Sequence, residues 1–599
     1  MSAASQDESL QNLPLWDLSA LYDGLDSEAV KADLDKAQKQ SEAFETSYKG
    51  KLAGLLGTGG AALAKVIADY EALDELLGRL YSYAGLTYSE NTTDPQRAKF
   101  FGDVQEKLTT ASSHLVFFSL ELTKLEDAAL QAGYEDPALA HYRPWIEDNL
   151  REKPYQLDDK LEQLFHEKSV TGRAAWNRLF DETIASLRFD VNGETLSLEP
   201  TLSLLQDPDG GKRKAAAKAV GETLGGELRT FTLITNVLAK DKQISDQWRG
   251  FKDVADSRHL ANRVEGEVVD ALVSSVRDSF PRLSHRYYKL KAKWMGVDAL
   301  DYWDRNAPLP NADKALIGWD DAKGMVLDAY GKFSPEMADI GKRFFDENWI
   351  DAPSREGKSP GAFSHPTVPS AHPYILLNYQ GRTRDVMTLA HELGHGVHQV
   401  LAGKQGALMA HTPLTLAETA SVFGEMLTFR SVLSQTSDPA LRKSLLAGKV
   451  EDMINTVVRQ IAFYSFERKV HEARKQGELT SEQLCDLWVS VQHESLGDAI
   501  RFDDGYRPFW TYIGHFIHSP FYVYAYAFGD CLVNALYARY ENAHEGFTEH
   551  YLDLLRAGGS KPYNELLVPF GLDARDPSFW QAGLNVISGF IDELETLED

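Results

Sequence analysis

The sequence predicts a mostly α-helical protein with one small β element, and three features carry that expectation. Apolar residues recur at three- and four-residue intervals over long stretches, the spacing of a single helix face. The strongest hairpin signal is short, an Asn-Gly pair between the alternating runs of LRFDVNGETLSL at 187–198. A Pro, Gly and Ser-rich stretch from Asp351 to Pro373 leads into the β-prone run YILLNY and then directly into another helical pattern. At 599 residues, 43 % hydrophobic and 25 % charged, the chain has the composition of a globular protein with room for several cores.

Taken in order, residues 28–48, 61–88 and 95–125 show helical periodicity. In the second, Leu63, Val66, Ile67, Tyr70, Leu73, Leu77, Leu80 and Tyr81 form a continuous stripe. Gly54 to Gly60 is expected to be a flexible connector. These elements predict a helical amino-terminal region over residues 1–200, followed by a catalytic region over 201–599. Asn192-Gly193 predicts the hairpin turn. Helices resume near Gly211 and include Gly266 to Trp294, with a kink at Pro281. The stretch 351–373 is too long for an idle connection. Tyr374 to Tyr379 after it reads as a strand, either a sheet edge able to pair with an extended peptide or an ordinary internal strand.

The chemistry centres on Asp385 to Gln399, DVMTLAHELGHGVHQ. Val386, Leu389, Ala390, Leu393 and Val397 place it on a helix with one face in a core. Four apart, His391 and His395 project from one side, as two imidazoles must to grip one metal ion. Glu392 is turned by about 100° from His391, so it flanks the ion without binding it. H-E-x-x-H is the zinc metallopeptidase arrangement, with the glutamate as general base. Gly394 and Gly396 each cost a helix about 1 kcal/mol relative to alanine, which makes sense if a backbone or a substrate passes close by.

A catalytic zinc takes a third protein ligand and keeps one position open. Metzincins place glycine three and histidine six residues after the second histidine; His398 and Leu401 stand there, which excludes that class. Leu414 to Phe429, LTLAETASVFGEMLTF, reads as a helix offering Glu418 and Glu425 on one face. One can bind the ion and the other can orient a histidine from behind. The small Ala417, Thr419, Ala420 and Ser421 allow close approach and favour Glu418 as ligand. His398 is a rival ligand, although a place behind the site or facing substrate suits helix geometry better.

The runs PYILLNYQGRTRDVMTLAHELGHGVH at 373–398, AETASVFGE at 417–425 and HFIHSPFYVYAYAFG at 515–529 resemble the oligoendopeptidase F family of thimet-type zinc metallopeptidases. LPLWDLSALY at 13–22 and ALDELLGRLYSYAGLTYSENT at 72–92 extend the likeness over nearly the whole chain. The resemblance implies two helical halves enclosing a deep channel with zinc on its floor, open to unfolded oligopeptides and closed to folded proteins. It implies that the Gly361-Ala362-Phe363 loop lies near the substrate. It also implies a substrate-side histidine, matched here by His515 with His518 as competitor, ahead of a tyrosine cluster in which Tyr522 and Tyr526 are the substrate-side hydroxyls. Ser519 and Pro520 suit the start of that cluster's helix, on which Tyr522 and Tyr526 share a face and Tyr524 points elsewhere. A placed phenol or imidazole donor stabilises the charge that builds on a former carbonyl oxygen. The expected activity is a Zn²⁺-dependent endopeptidase in which Glu392 activates water. The alternatives are an exopeptidase of the same class and a non-catalytic, zinc-stabilised peptide-binding scaffold.

Charge and cysteine content set further bounds. A formal charge of −27 repels phosphates and argues against nucleic acid as partner. Two cysteines, Cys485 and Cys531, build no disulfide framework and fit a reducing compartment, the cytoplasm. The opening MSAASQDESLQNLPLW has no basic and hydrophobic signal regions, and Pro520 to Ala538 is interrupted by Asp530 and Asn534, so neither export nor a membrane span is expected.

Overall fold

The amino-terminal stripes become the helices Glu28–Tyr48, Gly60–Glu90 and Pro95–Ser113 in a computed structural model that describes residues 12–309, 316–542 and 545–597. Residues 1–11 of the segment read above for export signals lie outside the described residues. Ser27 and Asp94 cap two of these helices by accepting from N–H groups of the first turn. The run expected to reach residue 125 stops at Ser113, and a separate helix Val116–Thr123 follows. The expected Gly54 to Gly60 connector is helical as far as Thr58, because Leu52 and Leu56 are buried; Gly59, at φ 140°, makes the join.

The chain forms two compact units, each assembled from three segments. The first takes Met1–Pro154, Lys314–Gln435 and Ala543–Gly571, and the second takes Tyr155–Asp313, Thr436–Asn542 and Leu572–Asp599. A boundary at residue 200 does not follow this partition. The amino-terminal core closes with a residue far downstream, Met409, which packs among Leu63, Ile67 and Leu122. Its centre is aromatic, with Tyr70 and Phe44 4.7 and 5.4 Å from Phe118 between ring centroids.

In the first unit, strands β1 (Ile350–Pro353), β2 (Phe363–His365) and β3 (Tyr374–Tyr379) form a sheet in the order β1-β3-β2. β1 runs parallel and β2 antiparallel to β3. YILLNY is therefore the internal strand, buried at every residue except Asn378, and the half-buried β2 is an edge. The long loop between β1 and β3 is pinned from within. Lys358 buries its ammonium against the Asp351 carboxylate at 2.8 Å and the carbonyls of Asp351, Pro353 and Leu377, while Arg355 grips Asp351 with two bonds of 2.6 Å. A turn at Gly381, φ 83°, then leads into helix α1 (Thr383–Ala402). The Asp385 carboxylate caps that helix by accepting from the N–H groups of Gln380 and Arg382. Helix α2 (Thr419–Gln435) packs along α1.

The second unit carries the hairpin, Phe189–Val191 paired antiparallel with Glu194–Leu196 across Asn192 and Gly193, both at positive φ. Helix Gly266–Ser279 gives way to a tight turn at Phe280–Arg282 and resumes as Ser284–Trp294, the break that Pro281 imposes. Helices α3 (Val458–Arg474) and α4 (Tyr524–Glu541) pack against each other. α4 begins later than Ser519-Pro520. Phe521 sits at φ 61°, and its N–H donates to the Glu467 carboxylate at 2.8 Å instead of joining a helix. No helix among the described residues is long and apolar enough to cross a membrane.

Candidate metal centre

The apolar side of α1 is fixed by Val386, Leu389, Ala390, Leu393 and Val397, each fully buried. That leaves His391 and His395 facing a cavity of about 790 Å³, with ring centroids 5.0 Å apart. Glu418 meets them from the interruption between the short helix Leu414–Ala417 and α2. Its Oε2 lies 3.3 Å from His391 Nε2 and 3.5 Å from His395 Nε2. A tetrahedral site with bonds of 2.0–2.1 Å has ligand-to-ligand edges of about 3.3 Å, close to the two distances from Glu418, and all three donor atoms lie within 4.8 Å of one another. Among the described residues, His391, His395 and Glu418 are the group able to hold a metal ion.

Each donor is held from behind. Glu425 Oε2 lies 3.2 Å from His391 Nδ1, the nitrogen turned away from Glu418. The backbone of Ala417 bonds His395. Ser421 Oγ donates to Glu418 Oε2 at 2.7 Å, a support the sequence offered at i+3 from Glu418, though Ser421 drew notice there only for its size. The charges follow. Burial would lift the Glu418 pKa, but the His391 hydrogen bond and both imidazoles hold it down to about 2. Burial lowers His395 to about 4, so it presents a neutral lone pair. Burial would likewise depress His391, yet Glu418 and Glu425 outweigh it and hold a proton there up to about 10. An ionised carboxylate with two imidazoles, one of them giving up its proton to make room, is a donor set that fits a divalent ion.

Glu392 is 8 % exposed, lines the same cavity and accepts a backbone hydrogen bond from Ser364 of β2. Burial pushes its carboxyl up to about 7. β2 is clamped to α1 by Ser364 and Gln399, whose side chains bond at 2.8 Å, with Gln399 Nε2 also donating to the Ser364 carbonyl at 3.2 Å. The sheet edge beside the cavity is therefore Phe363–His365, adjoining the Gly361-Ala362-Phe363 loop, and not YILLNY, and both backbone groups of Ser364 on it are engaged, by Glu392 and Gln399. His398 stands apart from the three donors. It is buried, 3.3 Å from Thr412 Oγ1, and burial lowers its pKa to about 3.

The tyrosine cluster belongs to the second unit. His515 Nε2 lies 3.2 Å from Tyr526 Oη, and the Tyr522 and Tyr526 rings are 5.4 Å apart. His518 turns instead to Asp181 at 2.8 Å, and Tyr524 is buried between His259 and Asn262. The left-handed Phe521 beside Tyr522 is anchored by Glu467, a buried carboxyl on α3 pushed up to about 8 by burial. Because that value lies above the ordinary 4.5, Glu467 contributes stability that is complete below pH 4.5 and lost as pH rises through about 8. In thermal melts of Glu467→Gln, the variant should gain on its parent across that window; a gap independent of pH would contradict a neutral Glu467.

Comparison with known proteins matches residues 328–586 to peptidase family M3 and 121–189 to oligopeptidase F, together more than half the chain. Oligopeptidase PepF of Bacillus subtilis is 27 % identical over 565 residues, 92 % of this chain and 83 % of that one. Group B oligopeptidase PepB of Streptococcus agalactiae is 28 % identical, covering 88 % of each. Among solved structures, oligoendopeptidase-F from Enterococcus faecium has a TM-score of 0.71 at 23 % identity, over 96 % of this chain and 100 % of that one.

Proposed function

Since the chain belongs to peptidase family M3 and has its metallo-oligopeptidase character, we propose that it is a zinc-dependent endopeptidase acting on short, unfolded oligopeptides. The observation that carries this reading is the triangle of His391, His395 and Glu418, with edges of 3.3 and 3.5 Å, beside the buried Glu392. His391, His395 and Glu418 hold the ion, and Glu425 orients His391. Zinc bound there supplies Lewis acidity, acidifying a water molecule and polarising the scissile carbonyl. Glu392 takes the proton of the attacking water at its carboxylate and returns it to the leaving amine. His515 and Tyr526, with Tyr522, donate hydrogen bonds to the oxygen that becomes negative. Free, buried Cys485 and Cys531 agree with a cytoplasmic setting, and the charge of −27 disfavours nucleic acid.

Metal analysis combined with cleavage of an internally quenched peptide tests the proposal. The purified protein should carry one zinc per chain, lose hydrolysis on chelation and regain it when zinc returns, with only a modest fall in melting temperature. Hydrolysis indifferent to the chelator removes the metal from the mechanism. A chelated protein that unfolds, with no cleavage before chelation, favours the scaffold. Mass spectrometry of the products separates internal cuts from the trimming of an exopeptidase.

A further inference from the structure

The second unit holds a cavity of about 790 Å³ whose lining lies wholly within that unit. Five cations and three carboxylates stand on its wall, an excess of positive charge in a chain whose formal charge is −27. Lys242 pairs with Asp246 at 2.6 Å and Arg249 with Glu162 at 2.7 Å. That leaves Lys168, Arg173 and Arg258 facing Asp241 alone, and none of these three cations is ion-paired among the described residues.

Two of the three are fixed side by side. Arg173 Nη2 donates to the His518 carbonyl at 2.6 Å, and Arg258 Nε donates to the Pro520 carbonyl at 3.1 Å. Two residues of chain span at most about 7 Å, so one short segment holds two like charges close together. Each guanidinium carries five N–H donors; the backbone takes one, and the others form a fork open to an anion. Burial lowers the pKa of Arg258, and the charge of Arg173 lowers it further, a repulsion that an anion between them would relieve.

The imbalance on the wall amounts to two positive charges. A phosphate monoester carries about −1.5 to −2 near pH 7 and answers it, whereas a carboxylate leaves one cation unanswered. The same wall bears Trp248 and Leu164, 57 % and 51 % exposed, with Phe165 adjoining Leu164. Large apolar side chains left open beside unpaired cations suit a ligand whose anionic end is joined to a ring.

We propose that this cavity is a binding site for a phosphate monoester attached to an aromatic ring, with Arg173, Arg258 and Lys168 on the phosphate and Trp248 and Leu164 against the ring. The site belongs to the second unit alone and stands or falls independently of the peptidase reading.

Calorimetric titration of the purified full chain with phenyl phosphate, inorganic phosphate and phenol tests it. Phenyl phosphate should bind at least roughly ten-fold more tightly than either of its parts. Arg173→Gln and Arg258→Gln should each weaken it by roughly ten-fold, the scale of one hydrogen bond to a charged group, and Arg258→Lys should recover part of the loss by restoring charge without the fork. Both arginines also hold the backbone at 518 and 520, so the exposed Lys168→Gln supplies a variant whose fold is not at stake. It should weaken phenyl phosphate and leave phenol unchanged. Binding unaltered in all three glutamine variants places the phosphate elsewhere, the metal centre included, and overturns the site. Phenol or inorganic phosphate bound as tightly as phenyl phosphate overturns it too, the first by removing the cations and the second by removing the apolar wall. Adenosine monophosphate and phosphotyrosine, titrated in parallel, separate a free nucleotide from a phosphorylated side chain as the source, the tighter of the two naming it.

Discussion

Glu392→Gln is expected to keep its metal and its fold while turnover of an internally quenched peptide falls by roughly 10²–10⁴, the range of a general acid-base group. Glu392 is not one of the three donors His391, His395 and Glu418, so the amide leaves the ion's ligands intact. The two side chains have the same shape, and the amide oxygen still accepts the backbone hydrogen bond from Ser364. What it cannot do is accept and return a proton. Stability should move the other way. Burial pushes the carboxyl of Glu392 up to about 7, so ionising it at neutral pH costs the fold something that a neutral amide does not. A variant with full zinc content, an equal or higher melting temperature and no hydrolysis would show a group retained for chemistry at the expense of stability. Turnover close to that of the parent would remove Glu392 from its role. Lost zinc would make it part of the ion's support.

Much of this site could be read from the chain because H-E-x-x-H is a local pattern, and helix geometry turns sequence spacing into spatial proximity. The separation of His391 and His395 needs nothing beyond 3.6 residues per turn. Glu418 is harder, since 22 residues lie between it and His395 and only the small residues around it point to a close approach. The edge strand escaped sequence reasoning because Phe363–His365 is three residues of mixed character, whereas YILLNY has the apolar continuity of a strand covered on both faces. The start of α4 was misplaced for a related reason. Ser519-Pro520 has the local chemistry of a helix start, but the tertiary bond from Phe521 to Glu467, 54 positions earlier, overrides it. Units built from interleaved segments leave no compositional boundary for the sequence to show.

Gly394→Ala separates local from tertiary reasoning most sharply. Within a helix, alanine is favoured over glycine by about 1 kcal/mol, so propensity alone predicts a more stable protein. The structure predicts the reverse. A Cβ on Gly394 would stand 2.4 Å from the Ala420 carbonyl oxygen and 2.7 Å from Ser421 Cα, both backbone atoms and both short of the 3.0 Å that real Cβ atoms keep. No rotamer relieves the overlap; α2 must withdraw from α1. Overpacking of this kind costs about 1–3 kcal/mol or more, which outweighs the gain in propensity. The damage is also specific, because α1 carries the two imidazoles and Glu418 stands one residue before α2, so the 3.3 and 3.5 Å edges must lengthen. The variant is expected to melt several degrees lower and to bind zinc at least ten-fold more weakly. Gly403→Ala is the control. It lies at the end of α1 with φ −54° and no atom within 4 Å of its Cβ, and should match the parent in both measurements. Equal zinc affinity in Gly394→Ala and Gly403→Ala would mean that the approach of α1 to α2 does not set the ligand geometry.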